Sequence, residues 1–332
     1  MTEACKQKGA RITGIGHYIP EKILTNADFE KIVDTSNEWI LTRTGIRERH
    51  ITADDQFSSD MAYEASLIAL ADAGVDPKDL DMIIVATVTP DMPLPSTGCL
   101  LQEMLGAKNA SAFDISAACS GFIYGLSVGS SMVQSGKAKK VLVIGVETLT
   151  SITDYTDRTT CVLFGDGCGA VVLEEGEPGE GVLSTFMRSD GGEKELLYIT
   201  SGGAKTPLTT EGIEAGDHFI RMKGDGLFKY AVKAMVDAAR RTLKEAGFGV
   251  EDVNYLIPHQ ANIRIIEGVR KRLKLEKEQV VVNIDRVGNT SSASIPIAFS
   301  ELKQGGTLKK GDLVIMVAFG GGLTWGAALI KY

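Results

Sequence analysis

Cys119 is the one cysteine of this chain that follows a strand-like run and precedes an apolar helical stretch. Ala112–Ile115 and the small-residue turn Ser116-Ala117-Ala118 come before it, and Phe122, Leu126 and Met132 follow. A thiol at a helix N-terminus meets unpaired backbone N–H groups and the positive end of the helix dipole, which favour the thiolate and depress its pKa. That is the setting of a nucleophile, although the commoner fate of a lone cysteine is that of a small buried apolar group. Cys99, Cys161 and Cys168 lack the setting and read as structural.

Four histidines are present, His17, His50, His218 and His259, and only His259 follows an expected strand inside a polar cluster, Pro258-His259-Gln260-Ala261-Asn262. Strand ends in α/β folds are where ligands bind. Asn289 lies in Gly288-Asn289-Thr290-Ser291-Ser292, between an expected strand Val280–Ile284 and an expected helix, where capping would also suit it. Phe319-Gly320-Gly321-Gly322 follows a buried strand and leads into Thr324-Trp325-Gly326. Consecutive glycines allow close backbone approach and leave N–H groups for a developing oxyanion, whereas a plain hairpin explains only the turn. Two further glycine runs do not meet the dinucleotide fingerprint: Gly165 to Gly169 is followed by strand-like Val171-Val172-Leu173, and Gly14-Ile15-Gly16 soon meets Pro20.

The elements that must position these residues repeat. Ala65–Thr87 and Ala238–Pro258 each read as a helix, a glycine stop, a short acidic turn and a strand, and they align without a gap, with Gly74 on Gly247 and Asp81 on Asn254, 173 residues apart. Phe113–Ile115 resembles Val282–Ile284 at an offset of 169, and Val141–Ile144 resembles Leu313–Met316 at 172. A period of this length means one α/β unit duplicated, with two copies packed face to face, rather than a solenoid. In the first copy Asp60 caps a helix with Met61, Ala65, Ile68 and Ala71 on one face. In the second, Asp225 precedes Leu227, Tyr230, Ala231, Ala234, Met235 and Ala238. Strands alternating with helices imply sheets covered on both faces. The alignment sets His259 at the strand end equivalent to Val88-Thr89 and Asn289 within one residue of the counterpart of Cys119.

The chain has 332 residues, 44% of them hydrophobic and 23% charged, enough for a large core in one fold of two packed halves. Its apolar runs, such as Val141–Ile144 and Leu313–Val317, are far short of the roughly 20 residues that span a bilayer. Met1–Ala10 contains no apolar signal core, so the expectation is a soluble, cytoplasmic protein without membrane insertion. Five cysteines form no CxxC pair, so free thiols and no metal are expected. A net charge of −8 disfavours nucleic acid as a partner.

Together these residues resemble the β-ketoacyl-[acyl-carrier-protein] synthase III family of the thiolase-like superfamily. The resemblance runs from Arg11-Ile12-Thr13-Gly14 through Thr35–Ile40, Arg43-Thr44-Gly45-Ile46, Ala117–Gly121, Phe164–Gly167, His259–Asn262 and Gly288-Asn289-Thr290 to Phe319–Trp325. It implies a five-layered αβαβα architecture, with an N-terminal half 1–175 carrying the nucleophile and a C-terminal half 176–332 carrying His and Asn. It also implies a Cys119–His259–Asn289 triad. Cys119 would take an acyl group from an acyl-CoA, with Gly321 helping to hold the oxyanion. His259 and Asn289 would donate hydrogen bonds as malonyl-acyl carrier protein decarboxylates, a loss that Phe319 promotes. Adenine would lie near Trp39 and Arg158, and Thr35, Arg43, Gly224 and Asn262 would line the pantetheine and phosphate path. The resemblance implies no cofactor, the coenzyme A thioester being a substrate. It also implies a homodimer.

The helix Arg264–Lys274, with an apolar stripe of Ile263, Ile266, Val269 and Leu273, carries a basic cluster that would steer an acidic carrier protein. An ordinary solvated face accounts for every cation there except Arg264, beside the His259–Asn262 motif. The chain departs from the family pattern in a few extra residues before Arg11. It also has Leu94 where some members carry an aromatic residue that reaches across the dimer to bound the acyl pocket, which leaves the primer open. Two rivals stand beside this reading: an acyltransferase that passes the acyl group to another acceptor without decarboxylation, and a catalytically silent subunit that binds carrier protein.

Overall fold

The computed structural model describes residues 8–332, so Cys5 and most of the Met1–Ala10 segment lie outside the described residues. Nine strands form one sheet: β1 (Gly9–Tyr18), β2 (Met82–Ala86), β3 (Ser111–Ile115), β4 (Lys140–Thr148), β5 (Asp166–Gly176), β6 (Gly181–Ser189), β7 (Tyr255–Pro258), β8 (Leu313–Gly320) and β9 (Thr324–Lys331). Their order is β7-β8-β9-β6-β1-β5-β4-β2-β3. β1 and β6 meet through a single pairing, Ala10 with Gly181, so the sheet is two half-sheets joined at a seam.

Six principal helices cover them: α1 (Ser58–Ala73), α2 (Thr97–Met104), α3 (Gly121–Gln134), α4 (Gly224–Glu245), α5 (Ile263–Leu273) and α6 (Ser294–Gln304). Strand side chains alternate between faces, and that alternation makes the layers. Ile84, Val143, Val314 and Met316 point to a central core shared with Phe122 and Leu126 of α3 and Phe299 of α6. Ile83, Val85, Leu142 and Ile144 point outward to α1 and α2. Ile315, Val317 and Leu329 point outward to α4 and α5. The result is the expected αβαβα stack. Burying a side chain such as Phe122 or Phe299 at the centre contributes roughly 1.5–3 kcal/mol each.

The duplication holds in detail. The second half repeats four of the five strands of the first in order and in pairing, β6-β9-β8-β7 answering β1-β5-β4-β2 with two antiparallel pairings and then a parallel one, and no described strand answers β3. Asp81 and Asn254 do the same job, each accepting with its side chain from the backbone where the neighbouring strand starts, at Lys140 and Leu313. Gly74 and Gly247 both end their helices at positive φ, 65° and 80°, a conformation that costs glycine nothing.

Several expectations change. α1 begins at Ser58 after Phe57, and Asp60 is its third residue, reaching back to the Phe57 N–H. Its buried face is Met61, Ala62, Ala65, Ala69 and Leu70, while Ile68 and Ala71 are exposed; on α4, Tyr230 is exposed as well. Small residues at every turn let α1 press on the sheet, which rotates the stripe away from the bulkier Ile68. On α5 the stripe is Ile265, Ile266, Val269 and Leu273 rather than one that starts at Ile263. Val280–Ile284 is not a strand: one bridge joins Val280 to Leu256, and the side chain of Gln260 takes over the pairing, donating to Val281 O and accepting from Asn283 N–H.

Arg49 is fully buried, donating to Asn26 Oδ1 at 2.7 Å and to Val162 O, with its guanidinium 4.5 Å from the Phe29 ring centre. Truncation to Ala strands two buried acceptors, each worth about 1–3 kcal/mol. Arg49→Ala is therefore expected to lower unfolding stability by about 2–6 kcal/mol, measurable as a reduced urea midpoint. An unchanged midpoint would show those acceptors to be satisfied by other means.

Candidate active site

Cys119 sits in a 3-10 turn, Ala118–Ser120, that leads directly into α3 after β3, as the strand-turn-helix pattern requires. Ala118 holds φ at 48°, and in the second half Ser291 holds 47° in the corresponding turn Ser291–Ala293 before α6. Positive φ in residues with a Cβ is strained and persists only where the surroundings impose it. Ala118 and Ser291 are 173 residues apart, the same offset as the two glycine stops. The residue equivalent to Cys119 is therefore Ser292, and Asn289 stands three positions before it, not one. By the same register His259 matches Ala86, not Val88-Thr89, because β2 pairs with β4 as β7 pairs with β8.

The tip of the β8–β9 hairpin closes over Cys119. A Cβ added to Gly320 would fall 2.6 Å from Cys119 N and 3.1 Å from Cys119 Cβ, so no side chain fits there. Thr324 donates through its hydroxyl to Ala117 O at 2.8 Å, and Ser120 donates to Thr324 O at 3.1 Å, which ties the hairpin to the turn.

Burial pushes the Cys119 thiol up to about 12, with the nearby charge of Glu147 acting the same way and the Ser291 hydroxyl pulling against it. The expected resting thiolate is thus corrected. The helix N-terminus is present, but Cys119 is buried in a pocket it lines with Phe164, Phe319 and Gly320, and that burial disfavours the charged form. Alkylation of Cys119 by iodoacetamide is expected to quicken about tenfold per pH unit and to show no plateau below about pH 10, since only the thiolate reacts. A plateau near neutrality, read from intact mass against time, would mean a resting thiolate.

His259 follows β7, its N–H donating to Val317 O at 2.8 Å. The ring is buried, which lowers its pKa to about 3 and leaves it neutral, and Nδ1 lies 2.7 Å from Ser294 Oγ. Asn289 is stitched to the first half, its N–H donating to Leu163 O and its carbonyl accepting from Gly165 N–H. Its Oδ1 accepts from the Ser291 N–H at 2.9 Å. That bond fixes the amide orientation and leaves the NH2 group for the cavity.

Two cavities share Cys119. One is a tunnel on which Cys119, His259, Asn289, Phe319, Phe164 and Phe228 converge. It opens into a cleft of about 510 Å³ edged by Trp39, Arg43, Gly224, Lys229, Asn262 and Arg264. The other is an apolar pocket of about 170 Å³ lined by Leu149, Ile152, Tyr198, Ile199, Ile220 and Gly321. Guanidinium groups of Arg43 and Arg158 lie 5.2 Å and 5.5 Å from the Trp39 ring centre. Asn262 also caps α5, accepting from Ile265 N–H. Arg264 is exposed and rests 5.4 Å from the Phe228 ring centre, whereas Arg270 is tied to Glu267 at 2.9 Å.

Thr35 is not among the residues that edge the cleft, and Leu94 lines neither cavity, being 84% exposed. Among the described residues the cysteines are free, Cys99 exposed and Cys161 and Cys168 buried, and no cluster of metal ligands occurs. No described helix is long and apolar enough to cross a membrane. The close approach expected of the glycine run falls at Gly320, whereas sequence reasoning missed Ser291, Ser294 and Glu147. The last was legible as an acidic residue near the end of an otherwise apolar strand. Its buried carboxyl, pushed up by desolvation, meets Thr89 Oγ1 and Ser292 Oγ.

Comparison with known proteins agrees with this geometry. Residues 113–191 match the family described as 3-Oxoacyl-[acyl-carrier-protein (ACP)] synthase III, and residues 243–332 match its C-terminal part. The chain is 54% identical to the beta-ketoacyl-[acyl-carrier-protein] synthase III of Caldanaerobacter subterraneus subsp. tengcongensis, over 99% of both chains. It is 56% identical to that of Xanthomonas campestris pv. campestris, over 97% of this chain and 98% of the relative. The crystal structure of 3-oxoacyl-[acyl-carrier-protein] synthase III from Aquifex aeolicus VF5 superposes with a TM-score of 0.91 at 51% identity, covering 98% of this chain and all of that one. On fold, length and sequence alike, this chain belongs to the β-ketoacyl-[acyl-carrier-protein] synthase III family of condensing enzymes.

Proposed function

We propose that the protein initiates acyl-chain growth through two half-reactions on Cys119. Its sulfur attacks the thioester carbonyl of an acyl-CoA, and the N–H groups of Cys119 and Gly321 hold the oxyanion. The carbon–sulfur bond to coenzyme A breaks, that sulfur takes up the thiol proton, and the acyl group stays on Cys119. Malonyl-acyl carrier protein then enters the tunnel. Its bond to the carboxylate breaks, CO2 leaves, and the electron pair forms an enolate whose oxygen accepts from His259 and Asn289. The enolate carbon attacks the acyl carbonyl, and the Cys119 thiolate departs and regains a proton from solvent. Phe319 offers the carboxylate no polar partner, which favours its loss.

The observation that carries this reading is that Cys119 lies between a polar-mouthed tunnel and an apolar pocket. A thioester bound there extends its carrier one way and its acyl chain the other. Trp39 and Arg158 suit a purine, and Arg43, Gly224 and Asn262 edge the route inward. Thr35, just ahead of the short helix Asn37–Thr44 that carries Trp39, is kept as an outer contact. Arg264, exposed at the mouth, suits an acidic carrier protein. The exposed Leu94 suits a homodimer in which it reaches the acyl pocket of the second copy. We take residues 1–175 and 176–332 as the two halves, the first supplying the nucleophile and the second the two hydrogen-bond donors. We read the chemistry as needing no cofactor and the protein as cytoplasmic, in keeping with substrates that are coenzyme A and carrier-protein thioesters.

Intact-protein mass spectrometry with a panel of acyl-CoAs, followed by malonyl-acyl carrier protein, tests this. An acyl mass that malonyl-acyl carrier protein discharges as a β-ketoacyl product is expected. An acyl mass it leaves in place would point to another acceptor, and no acylation by any acyl-CoA would sink both enzymatic readings.

A further inference from the structure

We propose that Glu147 stands in the folded protein as a neutral carboxylic acid whose Oε1–H donates to Ser292, and that this uncharged neighbour lets Cys119 carry the negative charge of each half-reaction. The state of Glu147 is argued from its contacts. The role given to it rests on the reading in which Cys119 takes the acyl group.

Glu147 lies on β4, fully buried, and its two oxygens keep different company. Oε2 collects donors: the Val88 N–H at 3.0 Å, the Thr89 hydroxyl at 2.9 Å and the Thr87 hydroxyl at 3.3 Å. The Thr89 hydroxyl oxygen already accepts from Thr148 N–H, and that of Thr87 from Thr89 N–H, so both hydroxyl protons are left for the carboxyl. Oε1 instead faces Ser292 Oγ at 2.8 Å. That hydroxyl has one proton, and it also lies 2.9 Å from Ala86 O, which can only accept. The proton goes to Ala86 O, and the contact with Oε1 is a hydrogen bond only if Glu147 supplies the proton. A protonated carboxyl has this asymmetry, one oxygen accepting and the other donating. An ionised one would set lone pair against lone pair across the Ser292 contact.

The surroundings agree. Thr87–Thr89, just after β2, and the turn Ser291–Ala293 bring hydroxyls and backbone but no charged side chain, and no cation is paired with Glu147 among the described residues. Burial pushes its carboxyl up, away from ionisation. Cys119 is the titratable group that feels it, and a charge on Glu147 raises that thiol. Kept neutral, Glu147 spares the sulfur a like charge when the thiolate attacks and again when it departs, which makes it a positioning residue and not a catalytic one.

Difference infrared spectroscopy of wild type against Glu147→Gln tests the state. Glutamine keeps the shape and the bonding pattern, its C=O accepting and its NH2 donating to Ser292. The C=O stretch of a protonated carboxylic acid is expected to be lost at neutral pH, and loss of carboxylate bands instead would overturn the inference. Alkylation of Cys119 by iodoacetamide should quicken by less than about twofold in Glu147→Gln, since neither side chain is charged, and a larger gain, the mark of a like charge removed, would overturn it too. The folded protein holds a proton on Glu147 that the unfolded chain releases above the ordinary glutamate range. Wild type should therefore lose stability relative to Glu147→Gln as pH rises from about 5 to about 8, read as a widening gap between urea midpoints; a level or narrowing gap would count against the inference. Should Glu147→Gln fail to fold, Ser292→Ala decides. It removes the partner of the Oε1–H, so the same C=O band is expected to shift, and a spectrum without that shift would overturn the inference. Failure of wild type to form acyl-Cys119 with any acyl-CoA would instead count against the function, while the spectra still decide the state of Glu147.

Discussion

Cys119→Ala is expected to abolish the acyl-enzyme and to lower condensation by at least about 10⁴-fold, the scale on which removing a covalent nucleophile acts. The structure gives this variant little reason to misfold. Only one sulfur is lost from a site where the turn is held by the Thr324 and Ser120 hydrogen bonds. Intact mass after incubation with acyl-CoA should therefore show an unmodified chain with an unchanged thermal midpoint. Cys99→Ala, Cys161→Ala and Cys168→Ala should each still gain the acyl mass, because none lies in either cavity that meets Cys119. Acyl mass persisting in Cys119→Ala would move the nucleophile elsewhere and undo the proposed chemistry.

His259→Ala and Asn289→Ala are expected to separate the half-reactions. Each removes one donor to the enolate oxygen, and losing one oxyanion donor costs about 10²–10³ in rate. Acyl-Cys119 should still form in both variants, yet its discharge by malonyl-acyl carrier protein, followed as CO2 release, should slow by that factor. The double variant should fall short of the product of the two effects, since both groups serve one oxygen. If His259→Ala abolished acylation instead, the ring would be the base for the thiol and the division of roles proposed here would fail.

Much of this arrangement was legible in the sequence. The strand, small-residue turn and apolar helix around Cys119 are local features, written in consecutive residues. The duplication was legible because Gly74 and Gly247 end helices by the same backbone conformation and Asp81 and Asn254 start strands by the same side-chain bond. Three matters depended on packing and were not. The alternation of Ile68 and Leu70 on α1 has no single reading until the sheet shows which face is covered. The thiol pKa follows from enclosure by Phe164, Phe319 and Gly320, residues far from Cys119 in the chain. Val280–Ile284 has the composition of a strand, but Gln260 occupies its hydrogen bonds from elsewhere. Ser294 looked like one serine in a serine-rich run, and only the fold brings it against a ring 35 positions away.

The paired turns at Ala118 and Ser291 carry a consequence for stoichiometry. An internally doubled fold begins with two cradles of the same shape, each able in principle to present a side chain from the head of a central helix. Here the second cradle holds Ser292, whose hydroxyl is fully engaged between Ala86 O at 2.9 Å and Glu147 Oε1 at 2.8 Å. It braces the first half instead of facing a substrate. Saturating acyl-CoA should accordingly load one equivalent per chain, never two, with one twin serving as the anvil on which the other is held in shape.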